Sequence, residues 1–212
     1  MSRWRSSRPT CTIRRENGCM AKIAAERISA LAGHYTPGKS GELGADGSAG
    51  VILRDMQGLV LHQAAGWADS MDRVGAAIAK AVRVETAPGP GRAVTGERGS
   101  LLRIEPMKWW LVGVASPKIS PNHGAVLDLS HSRTRIRVSG AQATVFLNRF
   151  LPLDLRERSF PVDSVASSAI HHVGVTLWRS GDGYDLFVPR GFALFVWEGL
   201  VDVARQFGLE IV

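Results

Sequence analysis

The most regular hydrophobic pattern in the chain lies at residues 133–138. Arg133, Arg135 and Arg137 alternate there with threonine, isoleucine and valine. A period of two is typical of a strand with one apolar face and one polar face. The sequence therefore predicts a strand with a cationic face. We expect that face to be solvated, to bind phosphate or a polyglutamate, or to pair with acidic residues of a neighbouring chain.

A helix is predicted directly after this strand. Ser139 suits its N-cap position, because the hydroxyl can accept a hydrogen bond from a free amide of the first turn. Pro152 is expected to end the helix, since proline cannot continue it. The apolar stripe of the helix consists of Ala141, Val145, Phe146 and Phe150.

Two strand–helix–strand–strand units account for most of the remaining pattern. In the first unit, strands are predicted at 51–53, 59–61, 101–104 and 109–113, and the helix face consists of Trp67, Met71, Val74, Ile78 and Ala81. In the second, the strand over 133–138 and the helix after it are followed by strands at 169–179 and 184–190, with a hairpin turn at 180–183.

A closing helix is predicted over 191–207, with Gly208 as its C-terminal cap. Its expected buried face consists of Phe192, Phe195, Val196, Leu200, Val203 and Phe207. Repeated β-α-β-β units pack well as an antiparallel sheet with helices on one side. The predicted fold class is therefore α+β, with ferredoxin-like elements.

Length and composition fit one main domain. The 212 residues are 45% apolar, which is enough to build a core without disulfides or metals. No apolar run approaches the length that a membrane span needs, so a soluble, cytoplasmic protein is expected. We predict a disordered basic tail at 1–19, a short helix and glycine-rich arm at 20–49, and the α+β domain at 50–212.

The net charge of +7 is concentrated in the tail. Residues 1–19 contain five arginines and one glutamate, a net charge of +4, which leaves +3 for the rest of the chain. Both cysteines, Cys11 and Cys19, also lie there, at a spacing typical of neither a redox dithiol nor a zinc knuckle. We expect the tail to be an upstream over-extension of the start, with a targeting peptide as the alternative.

The stretch from Gly33 to Ser40 matches the phosphate-binding pattern G-x-x-x-x-G-K-S. That motif requires a buried strand before the loop and a helix after it. The glycines that follow, up to Gly50, disfavour such a helix. We therefore interpret the match as accidental and the segment as a flexible arm that can order against a partner.

The sequence offers few groups for catalysis. His171 and His172 are adjacent on a predicted strand, so they should point to opposite faces and not share a metal ion. Ser130 and His131 would diverge in the same way, and we expect Ser130 to bond nearby backbone. Asp128 could serve as a base only beside a ligand. Catalytic, cofactor-binding and metal-binding residues are therefore not expected in this chain.

Two adjacent tryptophans, Trp109 and Trp110, should face opposite sides of a sheet. We expect one ring in the core and the other on a partner surface, because tryptophan is favoured at interface hot spots. Stacking on a base or on folate is the alternative. The predicted partner interface consists of Trp109, Trp110, Arg133, Arg135 and Arg137.

The run from Asp128 to Leu155 resembles the gamma subunit of heterotetrameric sarcosine oxidases. It contains Asp-Leu-Ser-His, a strand that ends in Val-Ser-Gly, a helix, and Pro-Leu-Asp-Leu. The stretches 100–114, 184–190 and 191–207 are also similar. The resemblance as a whole covers residues 50–208. The family is related to the folate-binding aminomethyltransferase of the glycine cleavage system.

One motif departs from the family pattern Leu-Gly-Pro-Asp-Glu-Trp-Leu. Glu105 replaces the glycine, and Met107 with Lys108 replaces the acidic pair. The element is expected to remain, but a folate or cofactor contact of that acidic pair does not carry over to this chain.

The resemblance implies an accessory subunit for sarcosine catabolism. Its expected partners are the alpha, beta and delta subunits of a heterotetramer, which would hold FAD, FMN, NAD, tetrahydrofolate and zinc. The alternatives are a subunit of N-methylglutamate dehydrogenase, a stand-alone folate-binding aminomethyltransferase, and an RNA-binding module. A membrane partner is not expected, because the sequence has no long apolar run. A nucleic-acid partner is not expected either, because the arginine-bearing strand lacks interleaved aromatic residues.

Overall fold

The computed structural model describes residues 28–181 and 183–212. The tail predicted at 1–19 and the first part of the segment predicted at 20–49 lie outside these residues. The described part contains twelve strands and three α-helices. The strands are β1 (Gly38–Ser40), β2 (Val51–Asp55), β3 (Leu61–Gly66), β4 (Ala93–Gly96), β5 (Gly99–Glu105), β6 (Lys108–Val112), β7 (Gly124–Asp128), β8 (Arg133–Ser139), β9 (Val165–Ile170), β10 (Val173–Ser180), β11 (Gly183–Pro189) and β12 (Leu209–Ile211); the helices are α1 (Met71–Val82), α2 (Ala143–Leu147) and α3 (Ala193–Ala204).

The strands form two sheets. One has seven strands in the order β1-β12-β2-β8-β11-β10-β9, and the other has five in the order β4-β5-β6-β3-β7. Every pairing is antiparallel except that of β12 with β2. The predicted α+β class is confirmed. The chain builds two sheets where one was expected, because β2 joins the sheet of the second unit while β3 joins that of the first.

The two sheets pack face to face, and the helices cover their outer faces. Helix α1 packs on the five-stranded sheet through Val74, Ile78 and Val82. Helices α2 and α3 pack on the seven-stranded sheet, with Phe146 and Trp197 fully buried against it. Between the sheets lies a third cluster that includes Leu61, Leu102, Trp110, Trp178 and Phe187. Each sheet therefore has helices on one side only, in a four-layer arrangement.

Among the described residues, none of the helices has the length and apolarity needed to cross a membrane.

The glycine-rich arm packs against its own chain. Strand β1 pairs with β12, so that Lys39 lies opposite Glu210. The Glu42 amide donates to the Arg205 carbonyl at 2.8 Å, and the Gly50 amide donates to the Phe207 carbonyl at 3.0 Å. Lys39 therefore sits on a strand followed by turns, and its ammonium group donates to the Gly47 carbonyl. The helix that a phosphate-binding loop requires does not follow it.

Helix α1 begins later than its apolar face predicts. Met71, Val74 and Ile78 lie on the helix as expected. Trp67 precedes it, and 46% of this residue is exposed. The helix ends at Val82, and the left-handed backbone of the next residue, Arg83, lets its amide donate to a carbonyl of the last turn.

Ser139 does not cap α2, in contrast to the prediction. Strand pairing continues through Ser139, which lies opposite both Ile52 and Gly183. The helix starts at Ala143, and its N-cap residue, Gln142, makes no side-chain cap. Instead the Gln142 amide donates to the Gly50 carbonyl at 2.8 Å. A backbone acceptor thus replaces the predicted hydroxyl.

The strand predicted over 169–179 is in fact a hairpin. Ile170 ends β9 and pairs with Val173, which begins β10. His171 and His172 form the turn, with His171 at a φ of 52°. The sequence carries none of the usual Gly, Asn or Asp turn signals at this position, so the hydrophobic pattern alone suggested a continuous strand.

The closing helix is confirmed, but its buried face is rotated. Single 3₁₀ turns flank α3, and Gly208 follows with a φ of 70°. The buried stripe consists of Ala193, Val196, Trp197, Leu200 and Ala204. Phe192 lies about 100° and Phe195 about 160° from the centre of this stripe, and each is 48% exposed. Their expected burial was wrong.

Gly140 is predicted to tolerate no side chain. Its φ is 104°, and a Cβ added there would lie 2.5 Å from the Gly50 carbonyl oxygen. Gly140→Ala should therefore lower the free energy of unfolding by at least about 1–3 kcal/mol, measured by urea denaturation. Gly174→Ala is the matched control, because a Cβ at this strand position meets nothing within 4 Å. Equal stability of the two variants would contradict this account of the β8–α2 junction.

Candidate interaction sites

Arg133 and Arg135 of β8 point into the layer between the two sheets. The Arg133 guanidinium carbon lies 5.9 Å from the centre of the Trp110 ring, and that of Arg135 lies 5.8 Å from the Trp178 ring. Both rings belong to the cluster between the sheets. The predicted strand and its alternation are confirmed, but the face expected to be solvated is covered by the second sheet at Arg133 and Arg135.

Asp185 holds two of these arginines. It is fully buried on β11, where it lies directly opposite Arg137. Arg135 Nε donates to Asp185 Oδ1 at 2.7 Å, and Arg137 Nη1 donates to Oδ2 at 2.7 Å. The Ser180 hydroxyl also donates to Oδ2. A buried carboxylate needs such partners, because removing it from water without them would be costly.

Arg133 is in a different position. Its Nη1 donates to the Ser132 carbonyl at 3.2 Å. Partial burial lowers the pKa of its guanidinium. Within residues 28–181 and 183–212, no carboxylate lies within ion-pair distance of it.

Trp109 and Trp110 are both buried. Trp109 packs with α1 on the outer face of the five-stranded sheet, and Trp110 packs between the sheets. Strand β6 lies between β5 and β3, so both of its faces are covered. The expectation that one ring lies on the surface was wrong, because the chain itself supplies a second layer. Whether any of the five predicted interface residues contacts a partner stays a prediction.

Ser130 holds the strands together at this end of the five-stranded sheet. Its hydroxyl accepts from the Leu61 amide at 3.0 Å and donates to the Leu61 carbonyl at 3.3 Å. The Asp128 carboxylate accepts from the Ser130 amide at 2.8 Å. Hydrogen bonding from Ser130, by its hydroxyl first and then its amide, lowers the pKa of Asp128. The neighbouring His131 is exposed.

The remaining histidines are dispersed. His62 Nδ1 lies 3.0 Å from the Val114 carbonyl, and His123 Nε2 lies 3.0 Å from Arg73 Nη1. In the part of the chain that the structure describes, no three His, Cys, Asp or Glu residues form a group that could hold a metal ion.

An exposed aromatic surface is the feature that the sequence patterns missed. It consists of His171, His172, Phe192 and Phe195, and we call it the Phe195 patch. The Phe195 ring centre lies 5.8 Å from that of His172 and 6.2 Å from that of His171. The exposure of both phenylalanines depends on which side of α3 faces the sheet. Two small alanines and Trp197 lie on the buried side, and the sequence pattern does not favour them over the phenylalanines. Exposed aromatic residues grouped in this way are typical of protein–protein contact sites.

Replacement of Asp185 is predicted to destabilise the fold. Asp185→Asn should lower the free energy of unfolding by roughly 2–4 kcal/mol, less than for a fully buried pair, because both guanidinium groups keep some solvent contact. Asp202→Asn, on the exposed side of α3, should change it by less than about 0.5 kcal/mol. Denaturant titration measures both. Similar stabilities for the two variants would show that Asp185 is not a structural centre.

Ser130 is predicted to be structural and not nucleophilic. Ser130→Ala should lower the free energy of unfolding by about 1–3 kcal/mol, because two buried backbone groups lose a partner. The wild-type chain should form no adduct with a serine-directed fluorophosphonate, as measured by mass spectrometry. An adduct on Ser130 together with an unchanged stability of the alanine variant would contradict this role.

Comparison with known proteins agrees with the fold and with the sequence resemblance. No family model matches the chain. It is 29% identical over 149 residues to the sarcosine oxidase subunit gamma of Corynebacterium sp. strain P-1, a match that covers 69% of this chain and 73% of that protein. The gamma subunits of an Arthrobacter species and of Corynebacterium sp. strain U-96 are each 32% identical over shorter stretches, which span 45% and 42% of their lengths.

Two solved structures share the fold. A chain of the heterotetrameric sarcosine oxidase from Corynebacterium sp. U-96 superposes with a TM-score of 0.63 and 24% identity, over 74% of this chain and 85% of that one. The aminomethyltransferase T of the glycine cleavage system from Bartonella henselae gives a TM-score of 0.55 and 19% identity, over 77% of this chain and 48% of that one. The chain is therefore similar in sequence to sarcosine oxidase gamma subunits, and it has the fold of both solved structures.

Proposed function

We propose that this chain is a non-catalytic accessory subunit of a cytoplasmic, sarcosine oxidase-type complex. The observation that carries the proposal is its similarity to a sarcosine oxidase gamma subunit over 69% of the chain. The complex would oxidise an N-methyl amino acid and pass the released one-carbon unit to tetrahydrofolate. This chain would contribute a binding surface to the assembly.

The internal use of the polar residues supports an accessory role. Ser130 bonds the Leu61 backbone, and Asp185 bonds Arg135 and Arg137. The sequence suggests Ser130 and the two arginines for chemistry or recognition, and in the structure they hold neighbouring strands of one sheet together.

The partners in this proposal are larger chains that carry the cofactors. The solved relative is described as a heterotetramer. By that similarity we expect alpha, beta and delta subunits beside this chain. FAD, FMN, NAD, tetrahydrofolate and zinc would be bound in those subunits.

The other candidate functions have weaker support. The match to aminomethyltransferase T covers only 48% of that protein, which disfavours a stand-alone transferase. An RNA-binding module would need the arginine stripe at the surface, whereas Arg135 and Arg137 bind the buried Asp185. A subunit of N-methylglutamate dehydrogenase would have the same architecture and differs only in the substrate of its partners.

The Phe195 patch is the surface that we assign to a larger subunit. Its phenylalanines are about half exposed, and burying the exposed half of such a ring contributes roughly 1 kcal/mol. The hairpin turn at His171 and the start of α3 present the patch from two packed elements, so little ordering is needed on binding.

The first prediction concerns the composition of the native complex. The chain, tagged at its C-terminus and isolated gently from its host, should copurify with larger chains and with the visible absorbance of a flavin. Mass spectrometry of the eluate identifies the copurified chains. A colourless protein that elutes alone would contradict the proposal.

The second prediction concerns the patch. Phe195→Asp should reduce the recovery of the larger chains at least about tenfold, since a desolvated carboxylate opposes an apolar contact. Val145→Asp is the matched control, because Val145 is equally exposed on α2, away from the patch. Equal recovery with both variants would place the interface elsewhere on the chain.

A further inference from the structure

A polar cavity lies between the glycine-rich arm and the C-terminal end of α3. Its volume is about 400 Å³, within the range typical of small-molecule sites. The arm supplies one wall, and Val201 and the residue after α3 supply the other. We call it the arm cavity. Besides Trp197, its lining residues with polar side chains are His34, Tyr35, Thr36, Ser40 and Arg205.

Trp197 supplies the observation that points to a ligand. Only 1% of this residue is exposed, and its indole N–H has no hydrogen-bond partner in the described part of the chain. The unpartnered atoms there that are fully enclosed are Asp55 Oδ2, Trp109 Nε1 and Trp178 Nε1. Trp197 Nε1 is not one of them, so the small exposed area of Trp197 includes this atom. A nearly buried N–H favours an acceptor, and a molecule in the arm cavity can supply one.

The other polar side chains of the arm cavity are not used inside the chain. None of them makes a side-chain hydrogen bond or an ion pair with another residue of 28–181 or 183–212. The backbone of Arg205 is nevertheless fixed, because its carbonyl accepts from the Glu42 amide at 2.8 Å and from the Gly208 amide at 3.3 Å. Ser130 and Asp185 differ, since both are engaged in bonds within the sheets.

The charge of the arm cavity favours an anion. Arg205 carries a full positive charge, and no carboxylate is among the lining residues. Four other cavities in the described part of the chain each include at least one carboxylate, from Asp55, from Asp72 and Glu85, from Glu42, or from Glu210. A negatively charged group therefore meets attraction without repulsion in the arm cavity.

We propose that the arm cavity binds the phosphate group of a small phosphate monoester. Arg205 would donate to it, and the Trp197 N–H would donate to another of its oxygens. Hydroxyl groups of Tyr35, Thr36 and Ser40 would supply further donors. A phosphate group has three acceptor oxygens for these donors, whereas one guanidinium already occupies both oxygens of a carboxylate. The proposal does not depend on the accessory role of the chain.

The ester group would pack on the aromatic side of the cavity. The ring centres of Tyr35 and Trp197 lie 5.1 Å apart, and Tyr35 is only partly buried. An apolar ring on the phosphate can therefore cover Tyr35 and gain from its burial.

This site differs from a phosphate-binding loop, although the segment over 33–40 lines it. Lys39 is the residue that such a loop directs at the phosphate. Here Lys39 lies opposite Glu210, while its neighbour Ser40 lies opposite Leu209. Successive strand residues point to opposite faces, so Lys39 points away from the arm cavity, and its ammonium group donates to the Gly47 carbonyl.

Isothermal titration calorimetry on the full-length chain tests the proposal, with phenyl phosphate as the probe at fixed ionic strength. We expect saturable one-to-one binding. Benzoate is the matched comparison, because it carries a carboxylate on the same ring. It should bind at least about tenfold more weakly, since it has fewer acceptor oxygens and less charge.

Variants assign the binding to this cavity. Arg205→Gln should weaken phenyl phosphate binding at least about tenfold, because it removes a charged donor. Its fold should be kept, since the Arg205 side chain is exposed and unpartnered. Trp197→Phe keeps a ring in the core and removes the N–H, so it should weaken binding about two- to tenfold. Arg98→Gln is the control and should bind like the wild type, because Arg98 is exposed and does not line the cavity.

Four results would overturn the proposal. Absence of saturable heat with the wild-type chain would show that the cavity holds only water. Benzoate that binds as tightly as phenyl phosphate would exclude phosphate as the recognised group. Unchanged binding in Arg205→Gln would place the site elsewhere. A larger loss in Lys39→Gln than in Arg205→Gln would also overturn it, because Lys39 would then hold the phosphate.

Discussion

The fold depends on the pairing of buried charged side chains on strands β8 and β11. Strand β8 carries three arginines on one face, and β11 carries Asp185 directly opposite Arg137. Two guanidinium groups share this one buried carboxylate, each at 2.7 Å. Aromatic rings, Trp110, Trp178 and Phe187, fill the space around the ions. Since an unpaired charge there would be costly, the pairing fixes the register of β8 against β11.

This constraint explains why the arginine stripe misleads as a functional signal. In a protein with one sheet, alternation of arginine and apolar residues predicts a solvated face. Here the second sheet converts that face into an interior layer, and Trp110 becomes buried for the same reason. Residues that look suited to recognition are thus part of the core, and recognition must use other surfaces.

The local hydrophobic pattern predicted the strands and helices better than it predicted which other segments pack against them. The strands at β8, β5 and β6 and the helices α1 and α3 follow from apolar periodicity, which depends only on nearby residues. The division into two sheets could not be predicted, because it depends on whether β2 and β3 pair with each other or with distant strands. The turn at His171–His172 was missed because no glycine or proline marks it. The exposure of Phe195 was missed because large apolar side chains normally indicate the buried face, while α3 buries alanines and Trp197 instead.

For the candidate sites, too, the sequence showed what depends on nearby residues and did not show what depends on packing. The family resemblance was readable from short motifs in the sequence, and the relatives confirm it. The Phe195 patch and the unpaired oxygen of Asp55 could not be read from sequence, since each depends on how separate segments pack.

Native mass spectrometry of the complex isolated from the host tests the central claim most directly. An assembly that contains one copy of this 22.9 kDa chain together with larger flavin-bearing chains is the predicted result. A monomer, or an assembly of this chain alone, would contradict the account.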